Sequence, residues 1–169
     1  MDFSKRDFKE IEKIGQILNR VDKIDQKSVD WILGELSNYQ PFLLSLILGY
    51  QPDLKQPEFE EIMKMYFIIW EYFKDKKNGK KIKLTQKQFE NLEKRNLYFF
   101  KYLENSESTD KEFAITSDLE NTQSKALLTG IFYRFNSQPV LLAMNEENKG
   151  VILIGIKSII DCFEEIGKE

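Results

Sequence analysis

Apolar positions in this chain recur mostly at intervals of three and four, the spacing that stacks side chains on one face of an α-helix. The pattern is densest over residues 57–74, PEFEEIMKMYFIIWEYFK, where Phe59, Ile62, Met63, Tyr66, Ile69, Trp70 and Phe73 share a face. Met65, Phe67 and Ile68 widen that stripe, leaving Glu60, Glu61, Lys64 and Glu71 as the wet edge, which predicts a helix with neighbours on most sides. Pro57 suits the first helical turn, and Glu58, Glu60 and Glu61 place negative charge at the positive end of the helix dipole.

The same period organises the rest of the chain. Phe8, Ile11, Ile14, Leu18 and Val21 mark a first helix with Ser4 as its cap. Val29, Ile32, Leu33 and Leu36 mark a second, capped by Ser28 and ending before Pro41. PFLLSLILGY is apolar nearly all round and reads as a short buried helix. Beyond the turn dipeptide Asn78-Gly79, Thr85 and Gln88 form a capping box for a helix carrying Phe89, Leu92, Phe99, Phe100 and Leu103, with Asn96 in the middle of its apolar face. NSESTDKE is a loop by composition. Helical pattern resumes over about 119–135, through Ala126, Leu127, Gly130, Ile131 and Arg134; Pro139 opens a short helix, and a last helix covers about 147–166. VILIGI alone would pass for a strand, but Ile159, Cys162, Phe163 and Ile166 extend it in helical period.

The predicted fold is therefore all-α, a helical bundle of about seven or eight helices around the helix near 57–74. The competing reading is α+β, with a small sheet built from KIKL, EFAIT and VILIGI. At 169 residues the default is one domain, burying roughly 70% of its unfolded surface without needing a disulfide or metal. The echo Gln40-Pro41-Phe42-Leu43-Leu44 and Gln138-Pro139-Val140-Leu141-Leu142 raises a second organisation: two pseudo-repeated halves, about 1–76 and 84–169, joined by a Lys-rich loop. The simpler account of the echo is that proline opens helices and leucine fills them.

Composition narrows the chemistry. With 41% hydrophobic and 31% charged residues this is an ordinary globular chain, and its net charge of -3 gives no general attraction to polyanions. No apolar run approaches the roughly 20 residues that span a bilayer. Met1 leads into a charged segment and Cys162 stands alone, so a reducing, cytoplasmic location is expected. There is no histidine, which removes Ser/His/Asp and Cys/His machinery and histidine-containing metal sites. No phosphate-cradling glycine motif occurs. Cys162, on an apolar face among Asp161, Glu164 and Glu165, is core filler and a poor nucleophile. Adjacent carboxylates such as Glu60/Glu61 and Glu164/Glu165 diverge on a helix and read as solvated faces. No catalytic residue, metal site or cofactor is expected.

Three functional readings remain. The first is a non-catalytic protein–protein interaction or scaffold module, working through a helical groove or by self-association, with the 42–50 region and the final helix as candidate faces. The second is a nucleic-acid or anionic-surface binder using residues 74–87, where Lys76, Lys77, Lys80, Lys81 and Lys83 form the basic patch. Against it, no aromatic interleaves that patch, Asp75 is its sole sequence-local counter-charge, and a solvated loop explains it as well. The third is a small-molecule site between helices lined by Tyr66, Trp70, Asn96 and Arg134. Asn96 and Arg134 interrupt apolar faces, as ligand-orienting groups would; so would a register-setting Asn and an Arg lying along the core with its head in water.

Overall fold

The computed structural model describes residues 5–169, apart from the side chain of Arg6, and contains only helices among them. The elements are α1 (Lys5–Asp22), α2 (Gln26–Tyr39), α3 (Pro41–Gly49), a 3₁₀ turn (Gln51–Asp53), α4 (Gln56–Phe73), α5 (Gln86–Asn105), α6 (Ser108–Asn121), α7 (Lys125–Ser137), α8 (Pro139–Leu142) and α9 (Glu146–Lys168). The all-α reading holds, with nine α-helices among the described residues. The small-sheet alternative fails: KIKL lies in the irregular loop before α5, EFAIT in α6 and VILIGI in α9. The cap expected at Ser4 lies outside the described residues.

Helix α4 lies where its broad stripe requires. Its residues from Met65 to Phe73 are all buried, and it packs against α1, α3, α7, α8 and α9. Phe73 stacks on Phe163 of α9 with ring centroids 4.8 Å apart, and Trp70 meets the same ring at 6.4 Å. Such ring pairs add to the free energy of burying their area. At the start of α4 the Glu58 carboxylate accepts the Lys55 N–H at 2.9 Å, closing one orphan backbone donor. Glu71, read as part of the wet edge, is buried between the ammonium of Lys74 (2.7 Å) and the guanidinium of Arg20 (3.4 Å). A buried carboxylate needs such partners, and residues outside α4 supply them.

Local chemistry moved several boundaries. Asp25 caps α2, its carboxylate accepting the Ser28 N–H at 2.8 Å, so Ser28 lies inside the helix it was expected to begin. Thr85 caps α5 as expected by accepting the Gln88 N–H, whereas the Gln88 side chain turns to Glu165 of α9. NSESTDKE is a loop only at Ser106 and Glu107: Asn105 ends α5, and α6 begins at Ser108 and runs through Asn121, with no buried residue. The helix expected over 119–135 is broken at 122–124, where Glu164 of α9 accepts the backbone N–H groups of Gln123 and Ser124 and the Ser124 hydroxyl. In α1 the core face is Ile14, Ile17 and Val21, while Phe8 and Ile11 are exposed.

The loop between α4 and α5 is fixed from below. Asn78 adopts a positive φ of 64° and donates its side-chain amide to the Ile166 carbonyl. A Cβ on Gly79 would collide with the Phe73 carbonyl oxygen, so the Asn-Gly pair is set by backbone proximity. Gln40, fully buried, donates to the carbonyls of Gly79 (2.8 Å) and Ile82 (2.9 Å) and accepts the Leu84 N–H (2.8 Å). The two Gln-Pro echoes both open short helices with buried Leu43 and Leu141 at the same place, but Gln138 is half-buried and has no such role among the described residues.

Candidate functional site

The four residues proposed to line an internal ligand site are spread over separate networks. Tyr66 shares a hydrogen bond with Tyr50 (2.9 Å) beneath Gly155, where any Cβ would strike the Tyr50 hydroxyl. Burial pushes the Tyr66 hydroxyl well above its ordinary pKa, and the adjacent Tyr50 adds to this. Trp70 donates its indole N–H to Glu35 at 3.1 Å. Asn96 donates to the Ser158 hydroxyl (3.0 Å) and to Asp161 (2.9 Å), which is also held by Lys157 (2.7 Å) and Arg95 (3.0 Å). Arg134 pairs with Asp22 of α1 and with Glu61 of α4 (2.8 Å), tying α7 to both helices; its Nε has no partner among the described residues. The hydrogen bonds of these four side chains go to different partners on different helix pairs.

The carboxylates read as solvated faces are partly internal. Glu164 is buried and anchors the start of α7; Asp161, placed beside Cys162 by the sequence, is likewise buried, in the α5–α9 seam. Glu61 is half-buried between Arg134 and Lys64. Cys162 is buried, and desolvation, with Glu165 and Asp161 adding, pushes its thiol from 9.0 up to about 12. A thiol held protonated at neutral pH is a weak nucleophile. No group of three or more His, Cys, Asp or Glu side chains among the described residues is placed to hold a metal ion.

The basic segment is divided by the fold. Lys74 bridges Glu35 (3.1 Å) and Glu71; desolvation depresses its pKa, but the hydrogen bonds to these two carboxylates outweigh it and the net shift is upward. Lys76 reaches Glu10 at 3.2 Å and lies 3.8 Å from the centre of the Tyr72 ring. Lys80 lies 3.9 Å from Glu35 and 5.4 Å from the Tyr39 ring centre. Counter-charge therefore comes from Glu10 of α1 and Glu35 of α2, invisible to a search along the sequence, and from Glu71 of α4, which stands at the i,i+3 spacing from Lys74. Lys77, Lys81 and Lys83 are exposed and in no salt bridge among the described residues.

The faces first considered for a partner differ in availability. In α9 every residue from Gly155 to Glu164 is buried, so that stretch is core and presents no face. On α3 only Leu48 among the large apolar residues is exposed. A more developed surface is an open groove of about 1110 Å³ where the end of α1, the start of α2 and the end of α4 meet. Val21, Ile24 and Ile32 supply its apolar lining, Trp31 stands in it 70% exposed, and Arg20, Lys23, Lys27 and Lys74 surround it. A second groove, sharing Asn19, Arg20, Glu71 and Lys74, continues it toward Lys13 and Lys80. Eleven of the thirteen lining residues fall within 19–32, but sequence reasoning passed over the site because that stretch reads as two helices and a polar break, and the concavity exists only where their corner meets Glu71 and Lys74. The one legible signal was Trp31, an indole beside Asp30 and off the stripe of Val29, Ile32 and Leu36.

No protein-family model, curated protein or solved structure matches this chain. No helix among the described residues is long and apolar enough to cross a membrane.

Proposed function

We propose that this protein is a non-catalytic interaction module that holds a segment of another protein in the groove between α1, α2 and α4. The observation that carries this reading is Trp31. Of the two tryptophans, Trp70 is wholly buried and hydrogen-bonded, while Trp31 stands exposed beside an apolar floor. A large amphipathic ring presented at a concave surface can bury much area on binding at small conformational cost, which is why tryptophan is enriched among the residues that dominate interface energetics. The absence of histidine and the protonated Cys162 support a binding role over a catalytic one.

The experiment is site-specific photo-crosslinking in the host cell, with the reactive group at position 31 and, as control, at Tyr133, an exposed aromatic of α7 outside the groove. Discrete adducts from position 31 that vanish on Ile24→Glu, with none from position 133, are the expected result. Adducts at twice the chain's mass would identify the partner as a second copy. Equal, diffuse labelling from both positions would remove the reading.

A second reading is favoured by Lys77, Lys81 and Lys83, which are exposed and unpaired among the described residues: contact with an anionic surface or nucleic acid at that loop. Phosphate contacts make log affinity fall linearly with log salt. Binding that ignores salt, or survives replacing those three lysines by glutamine, would eliminate it.

A further inference from the structure

The groove's charges are not evenly matched. Of its carboxylates, Glu71 is held between Lys74 and Arg20, whereas Asp25 and Asp30 accept neutral donors, the Ser28 N–H and the Gln26 side-chain amide at 2.8 Å, and keep their charge. Its cations are not all answered. Lys23 and Lys27 are exposed and in no salt bridge among the described residues, and Arg20, 66% exposed, shares the buried Glu71 with Lys74. Glu35, behind Lys74, is likewise shared with Lys80. Glu71 and the half-buried Glu35 thus hold cationic heads toward the surface, and the four cations of the lining, Arg20, Lys23, Lys27 and Lys74, outnumber its carboxylates Asp25, Asp30 and Glu71 by one on a chain of net -3.

From this we infer that the groove takes an acidic amphipathic segment of a partner protein, its apolar side chains against Val21, Ile24 and Trp31 and its carboxylates on Arg20, Lys23 and Lys27. The inference rests on the groove being a protein-binding site and adds the chemistry of what fills it. A nucleic acid fits less well. Asp25 and Asp30 interrupt the rim and would oppose a phosphate at every nucleotide, whereas spaced carboxylates on a peptide can avoid them, and a single exposed indole is a poor platform for successive bases. Rim charges of this kind set partner choice and association rate, and their effect is screened by salt.

The test uses the whole chain and its own fluorescence, because acrylamide can reach Trp31 and not the buried Trp70. Two short helical peptides with the same leucine and phenylalanine stripe, one with glutamate and one with lysine at the remaining positions, are titrated alongside single-stranded oligothymidylate. The glutamate peptide is expected to shield Trp31 and to bind about tenfold tighter than the lysine peptide, the size of change that reversing a few rim charges produces. Lys23→Glu with Lys27→Glu should erase or invert the preference while leaving the far-ultraviolet circular dichroism unchanged, both side chains being exposed. Equal or tighter binding of the lysine peptide overturns the acidic partner and leaves the groove a protein site. Shielding by the oligonucleotide alone overturns both. No shielding by any probe overturns the acidic inference, while adducts from position 31 in the cell would still uphold the groove as a protein site.

Discussion

Cys162 shows how one position can be chemically silent for a physical reason. The thiol lies on the buried face of α9, and removing it from water penalises the thiolate before the neighbouring Glu165 and Asp161 are counted. At pH 8 iodoacetamide should therefore leave the native protein unmodified over hours and label one site rapidly in urea; rapid native labelling would mean that α9 opens or that the thiol is activated. Gln40 is the more consequential polar residue. Replacing it by leucine strands two carbonyls and one N–H beneath the 74–85 loop and should cost about 2–4 kcal/mol. The same change at Gln138, its counterpart in the echo, should cost less than about 1 kcal/mol, because that side chain is half-buried and without a described hydrogen bond. Urea unfolding of the two variants checks the difference.

Among the elements, α6 stands apart. It fully buries no residue, exposes Phe113 and Ile115, and is joined to the body through α5, through the half-buried Leu119 packed on the core, and through the ion pair of its Asp118 with Lys157 at 3.7 Å. A helix of 14 residues gains little from propensity alone, so most of its stability must come from packing that is sparse here. Its amides should exchange with deuterium first among the helices, and those of α4 and α9 last. Proline at Ile115 should lower global stability by less than the roughly 3 kcal/mol of a proline in a well-packed helix interior, because α6 can open locally, while proline at Ile159, fully buried in α9, should prevent folding. Protection in α6 equal to that in α4 would mean that something beyond the described contacts holds it.

For the whole molecule, one hydrophobic cluster draws side chains from α1 to α5 and α7 to α9. Cooperative unfolding follows if that cluster is indivisible, so far-ultraviolet circular dichroism and tryptophan emission should change in one coincident urea transition. Two separated transitions would instead support halves near 1–76 and 84–169. Alkaline pH probes the same core. Desolvation raises Tyr50 from 10.0 to about 12 despite its hydrogen bond to Tyr66, raises Tyr66 well above its ordinary value, and raises Cys162 to about 12. All three stay neutral in the fold while the unfolded chain ionises at the ordinary values, so the unfolded state binds fewer protons as pH rises. Their stability contribution is complete below about pH 9 and is lost as pH rises above it, through about pH 12 for Tyr50 and Cys162. The urea midpoint should fall across that window, and Tyr50→Phe should reduce the slope.

What the amino-acid sequence determined by itself is the helical class and the rank of its helices, because a period of three and four is a property of neighbours along one element. The breadth of the 57–74 stripe announced that α4 would be surrounded, and Pro41, Thr85 and Pro139 marked helix starts through chemistry confined to a few residues. Helix α6 was missed because its first residues, Ser, Thr, Asp, Lys and Glu, read as loop when propensity is weighed without context. Tertiary structure alone decided where the charges went. Arg20 reaches the buried Glu71 from α1, Lys76 and Lys80 find carboxylates on α1 and α2, and Arg134 joins α1, α4 and α7, none of which any spacing along the chain encodes; of the partners of Glu71 only Lys74, three residues on, was legible. The groove belongs to the same class. Trp31 was visible as an indole off its stripe, with Arg20 and Lys23 nearby in sequence, but the groove formed only when the α1–α2 corner met Glu71 and Lys74, since a concave surface is a relation between elements and not a pattern within one.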